Sequence, residues 1–156
     1  MFDRFRTRLW KLLFRVHPAY RGTGGRVTHI APDWSEVRVE VPHSWRTKNY
    51  MGTIFGGSLY GAVDPIYAMM LIKRLGDDYV VWDKEATIQF KKPGTETLTA
   101  TFELPDDELA AVKNALDGET DSIDREYTVD LVDDAGTTCA TVQKTIHVST
   151  DASKKA

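Results

Sequence analysis

The residues best placed to do chemistry together lie in one stretch, Asn49-Tyr50-Met51-Gly52-Thr53-Ile54-Phe55-Gly56-Gly57-Ser58-Leu59-Tyr60-Gly61-Ala62-Val63-Asp64-Pro65. A glycine pair opens an apolar run, and a single carboxylate, Asp64, interrupts it. The start of a helix offers unpaired N–H groups at the positive end of the helix dipole. At Gly57 such an amide can polarise a carbonyl and hold the oxyanion of an acyl-transfer intermediate, an effect worth roughly 2.7–4 kcal/mol per donor. Asp64 can deprotonate water or attack directly, a positioned base contributing about 10²–10⁴ in rate. Asn49, short and bifunctional, suits orienting the water or the carbonyl and equally suits a turn. Gly57 and Asp64 are seven residues apart, which puts them on one helix face but about 10 Å apart along the axis. They cannot both reach one small reacting centre within a single chain. Two copies packed antiparallel about a two-fold axis would bring Gly57 of one against Asp64 of the other.

The elements that must position these groups follow from periodicity. Asn49 to Gly56 reads as a loop and Gly57 to Leu75 as one long apolar helix, continued by Ile66, Met69, Met70, Ile72 and Leu75 and stopped by Gly76. Pro65 inside it costs on the order of 3 kcal/mol and crowds the carbonyl of Gly61, a residue without a side chain. Residues 1–17 form an amphipathic helix, with Phe2, Phe5, Leu9, Leu12, Leu13 and Val16 on one face and Arg4, Arg6, Arg8, Lys11 and Arg15 over much of the rest. Such a helix packs on its own domain or on a partner subunit, or lies on an anionic membrane surface. Pro18 and Gly22 to Gly25 read as a loop. Alternating patterns mark strands at 27–30, 37–41, 79–82, 88–90, 98–102, 125–132 and 137–148, the last two joined by Asp133-Asp134-Ala135-Gly136 as a hairpin. A second helix starts near Pro105 and ends at Gly118, and residues 149–156 read as a frayed tail. The whole is a single α+β domain spanning 1–156, a long central helix wrapped by an antiparallel sheet.

Composition narrows the function. A net charge of −3 gives no reason to expect nucleic-acid binding. The lone cysteine, Cys139, excludes an intrachain disulfide and a multi-cysteine zinc site, and points to a reducing, cytoplasmic compartment. His17, His29, His43 and His147 do not stand at metal-ligand spacing, so no metal is expected. Gly22-Thr23-Gly24-Gly25 does not continue into a phosphate-binding motif. Lys11 interrupts the first apolar run, which excludes a signal peptide, and no segment has the length of a membrane span. Tyr60, Tyr67, Met69 and Met70 suit either core packing or an acyl tunnel.

The motif Asn49-x-x-Gly52-x-x-Phe55-Gly56-Gly57, with Asp64 seven residues on, resembles the signature of PaaI-type hotdog-fold acyl-CoA thioesterases. The wider pattern is similar to a bacterial family that carries a domain of unknown function within the thioesterase-like hotdogs. It runs from Pro18-Ala19-Tyr20-Arg21-Gly22 through Asp64-Pro65 to Tyr79-Val80-Val81-Trp82-Asp83-Lys84 and Lys92-Pro93-Gly94. The resemblance implies a hotdog fold, a homodimer with a continuous sheet, often a dimer of dimers, and hydrolysis of an acyl thioester of CoA or an acyl-carrier protein without a cofactor. It gives Asp64 the place of the catalytic carboxylate, Gly57 that of the polarising amide and Asn49 that of the polar residue before the helix. Phe55, Gly56, Ser58 and Tyr60 are the expected substrate-binding positions. Phe55 stands where the PaaI pattern has His, a departure that also admits a non-catalytic module binding acyl-CoA or an acyl lipid.

Overall fold

A computed structural model describes residues 2–118 and 120–150, with side chains from Phe5 onward. Phe2 and Arg4 of the expected amphipathic helix therefore lie outside the described side chains, and 151–156 of the expected tail lie outside the described residues. The chain runs α1 (Phe2–Val16), α2 (Pro18–Thr23), β1 (Arg26–Ile30), β2 (Glu36–Val41), α3 (Gly56–Val63), α4 (Ile66–Leu75), β3 (Tyr79–Phe90), β4 (Leu98–Glu103), α5 (Asp106–Leu116), β5 (Ser122–Val132) and β6 (Thr138–Thr150). The six strands form one antiparallel sheet in the order β1-β2-β4-β5-β6-β3.

α3 and α4 form a single rod against the concave face of this sheet. Asp64 (φ −48°, ψ −53°) and Pro65 (φ −80°, ψ −8°) keep right-handed helical backbone between them. The expected long helix is thus present, with its hydrogen-bond ladder broken at Pro65, which has no N–H to give the Gly61 carbonyl. Leu59, Ala62, Val63, Ile66, Met70 and Leu71 are buried on its inner side. They meet Val37 and Val39 of β2, Ala100 and Phe102 of β4, Leu131 of β5, and Val142 and Ile146 of β6, all fully buried. Alternation in β2 and β4 sends each second residue into this core, as the sequence pattern requires.

Three expectations are corrected. The stretch read as a loop from Pro18 is the short helix α2; Pro18 sits at its first turn, where no N–H is needed, and Gly24 (φ 78°) closes it in the left-handed region. The segments 79–82 and 88–90 are not two strands but the ends of one, β3, with a bulge between Asp83 and Glu85. β3 is an edge strand, where the run Asp83-Lys84-Glu85 is tolerated because it faces solvent. Ser149 and Thr150 pair with β3 rather than fraying.

α1 lies against its own domain, one of the placements its sequence left open. It packs through Thr7, Trp10, Lys11 and Phe14, with Trp10 edge-on to Trp34 at 5.7 Å and Phe14 edge-on to Tyr20 at 4.9 Å. Lys73 Nζ lies 4.1 Å over the Trp10 ring. The apolar face points away from the domain: Phe5, Leu9, Leu12, Leu13 and Val16 are all exposed. α2 is held to the rod by the Tyr20 hydroxyl, which donates to the Ala62 carbonyl at 2.9 Å. At Gly25 a Cβ would stand 2.5 Å from that of Ala62, so the chain passes there only as glycine.

Phe102 of β4 is fully buried against the rod, its ring edge-on to Tyr67 at 5.0 Å. Phe102→Ala is expected to lower the unfolding free energy by about 3–5 kcal/mol in urea denaturation, the range for deleting a fully buried aromatic ring.

Candidate active site

Asp64 sits where the rod breaks, and two side chains converge on it. The Tyr60 hydroxyl, one helical turn back, donates to Asp64 Oδ1 at 2.7 Å. Lys144 Nζ reaches the same oxygen at 2.8 Å and also donates to the Asp64 backbone carbonyl. Asp83 Oδ1 on β3, 2.8 Å from the same ammonium, forms a second ion pair with it. The lysine side chain is 1% exposed, against 41% for Asp64 and 30% for Asp83. A buried ammonium survives only when paired, and here two carboxylates flank it. Burial, then the hydrogen bond to Asp64 and the charges of Asp64 and Asp83, push the Tyr60 hydroxyl well above the usual phenol range. Tyr60 therefore stays protonated and acts as a donor. Asp64 Oδ2 makes no hydrogen bond among the described residues and is the oxygen left for a proton or a carbonyl carbon.

Asp64 also lines a groove of about 720 Å³ between the first two helices and the rod. Trp10 and Phe14 of α1, Tyr20 of α2, and Gly61 and Met69 of the rod form much of its wall. The volume is in the roughly 300–1,000 Å³ range of small-molecule sites, and the lining is predominantly apolar. His17, at the N-cap of α2, lines the groove as well, a placement that sequence spacing did not suggest.

The glycine pair lies at the other end of α3. The amides of Gly56 and Gly57 make no hydrogen bond among the described residues, whereas those of Ser58 and Leu59 donate to the Phe55 carbonyl. A Cβ on Gly57 would fall 2.3 Å from the Phe55 ring, and one on Gly56 would fall 2.7 Å from the Phe90 ring. Both glycines are thus needed to seat two aromatic rings, each more than half exposed, beside the open helix start. Ser58 is buried on the inner side. Asn49 is used within its own loop: Oδ1 accepts from the Met51 and Thr53 amides at 2.9 and 3.1 Å, and Nδ2 donates to Thr53 Oγ1 at 2.9 Å.

One chain thus brings Tyr60 and Asp64 together and places Phe55, Gly56 and Gly57 together, but holds the two groups at opposite ends of α3. Lys144 and Asp83 were not singled out from the sequence. The signal for Lys144 was there: on β6 it shares a face with Val142, Ile146 and Val148, which are buried, so its register alone put a lysine on the core side. Among the described residues, no group of three or more His, Cys, Asp or Glu side chains is arranged to hold a metal ion.

A helical rod cradled by a six-stranded antiparallel sheet, with an acid at mid-rod and an open helix start, defines a hotdog fold. Residues 6–148 match the model of a domain of unknown function (DUF4442), and the chain belongs to that family. Among solved structures, a Pseudomonas aeruginosa protein of unknown function, called a probable thioesterase, superposes with a TM-score of 0.81 at 19% identity, covering 93% of this chain and 96% of that one. A Chlorobaculum tepidum protein of unknown function gives 0.75 at 14% identity over 96% of both chains. A thioesterase from Haemophilus influenzae gives 0.66 at 14% identity, covering 90% of this chain and 88% of its own. These likenesses establish the fold. Comparison with curated proteins finds no match.

Removing the cation separates its structural role from that of its partners. Lys144→Met is expected to cost about 2–3 kcal/mol in urea denaturation, less than the roughly 3–5 kcal/mol of a fully buried broken pair, because water reaches both carboxylates. Asp83→Asn, which leaves the Lys144–Asp64 contact, is expected to lose less than about 1 kcal/mol in the same measurement.

Proposed function

We infer that the protein hydrolyses an acyl thioester by attack of water, at a site shared between two copies of the chain. The observation that carries this reading is the half-engaged carboxylate of Asp64, with Oδ1 fixed by Tyr60 and Lys144 and Oδ2 open, in the wall of an apolar groove. The groove suits the apolar acyl group. Asp64 Oδ2 takes a proton from water as its oxygen bonds to the thioester carbon; collapse then releases the thiolate, which regains a proton, so that R–CO–SR′ and water give R–COOH and R′–SH. The unpaired amides at Gly56 and Gly57 suit the oxyanion of the tetrahedral intermediate, and the distance along α3 requires that they come from a second copy. CoA or an acyl-carrier protein is the thiol carrier in this reading.

Two features favour the paired arrangement. β3 is hydrogen-bonded on one side only, and its 12 residues leave a long row of backbone groups along the sheet edge. Such an edge is a template for another strand. Trp82 and Phe90 on the same strand are more than half exposed, as expected of a surface that a second copy covers.

One observation favours a second reading, a module that binds the acyl compound without cleaving it. Phe55 stands against Gly57 with its ring at the helix start, offering the incoming carbonyl an apolar neighbour and no hydrogen bond.

Free-thiol release from short, medium, long and aromatic acyl-CoAs tests both readings. Asp64→Asn is expected to lower kcat/KM by at least about 10²-fold while leaving acyl-CoA binding and the oligomer unchanged. Saturable binding without turnover by the unaltered protein selects the binding module. Absence of both defeats the two readings together.

A further inference from the structure

We propose that α1 docks the protein on an anionic lipid surface through the apolar stripe that it turns away from its own domain. This does not depend on the hydrolase reading. The stripe is Phe5, Leu9, Leu12, Leu13 and Val16, from 42% to 70% exposed. These positions recur every three or four residues and so form one contiguous band along the helix. The opposite face, Thr7, Trp10, Lys11 and Phe14, is already spent on the domain. The helix is therefore fixed with its apolar side outward. A contiguous exposed apolar patch of this kind on a folded protein marks a contact surface.

Charge selects the occupant. The segment 2–16 holds five basic residues and one acid in a chain whose net charge is −3. At helical spacing Arg8 and Arg15 border the stripe on one side and Arg6 borders it on the other, and all three are exposed. No acidic residue lies between Phe5 and Val16. An apolar band flanked on both sides by arginines matches a helix lying in a bilayer interface, its band among the acyl chains and its guanidinium groups at the headgroup level. A second α1 packed on this stripe would set arginine beside arginine, which disfavours a contact between copies through the helix. Leu13 and Val16 also line the groove that holds Asp64, so the band runs without a polar break into an apolar cavity of lipid-compatible size. That continuity is a second reason to prefer acyl chains over an acidic protein partner.

Co-sedimentation of the full chain with phosphatidylcholine vesicles, with and without phosphatidylglycerol, tests this. Binding to the anionic vesicles is expected, and it should fall at least tenfold for Leu9→Glu/Leu12→Glu. Arg8→Glu/Arg15→Glu should bring binding down to the level seen with neutral vesicles. All four positions are exposed, so both double variants should keep the circular dichroism and melting of the parent. Absence of vesicle binding overturns the proposal, as does binding that both variants retain. Should Leu9→Glu/Leu12→Glu instead split an oligomer while vesicles bind none of the forms, the stripe is an interface between copies and the proposal fails.

Discussion

A single ammonium group ties the helical rod to the sheet. Lys144 projects from β6 into a core of Val, Ile and Phe side chains, a position at which an unpaired charge is not tolerated. It donates to the carboxylate and the carbonyl of Asp64 and is ion-paired with the carboxylate of Asp83. The backbone break at Pro65 belongs to the same arrangement. Proline removes one rung of the helix and leaves this turn open at its side, where the Asp64 carbonyl receives a donor from the sheet. The rotation of the rod about its own axis is then set by a polar contact rather than by apolar packing alone, which would admit several rotations. The orientation of the acid toward the groove follows from that lock.

The same contact explains how a carboxylate can be both fixed and available. Tyr60 and Lys144 take one oxygen and leave the other, so the group keeps a defined direction without being fully saturated. A positioned group of this kind spends little of its freedom when a ligand arrives. At the far end of α3, rigidity has another source. There the glycines have no side chains, and the rings of Phe55 and Phe90 stand where their Cβ atoms would be. The open amides lie beside aromatic surface. The two ends are thus complementary, one acidic and one amide-rich, and separated by about the length of an eight-residue helix.

Much of this was legible in the sequence. The central rod, its proline, the 133–136 turn and the alternation of the inner strands rest on local rules that nothing in the tertiary structure opposed. The Asp133 side chain shows why the turn was so readable: Oδ1 accepts from the Ala135 and Thr137 amides, a contact that spans only a few residues. What was missed depends on long-range placement. Lys144 reads as one more polar residue until the inward face of β6 is known. The charged run from Asp83 to Glu85 interrupts the alternating pattern and stays outside any strand until β3 is known to be an edge. The pairing of Asp83 with Lys144 crosses 61 positions of sequence, and no local pattern encodes it.

α1 carries this limit furthest. Hydrophobic periodicity identifies a helix with two unlike faces, and the ordinary inference sends the apolar face inward. In this structure aromatic contacts accompany the other choice: Trp34, buried in a left-handed turn at φ 60°, and Tyr20, bonded to the rod, pair edge-to-face with Trp10 and Phe14. Those contacts, with Lys73 over the Trp10 ring, fix the helix by a mixed face and leave the purely apolar one unpaired. An apolar stripe kept exposed by well-formed packing behind it is not a packing defect. It is a surface held in place, and the domain's own aromatic contacts are what hold it.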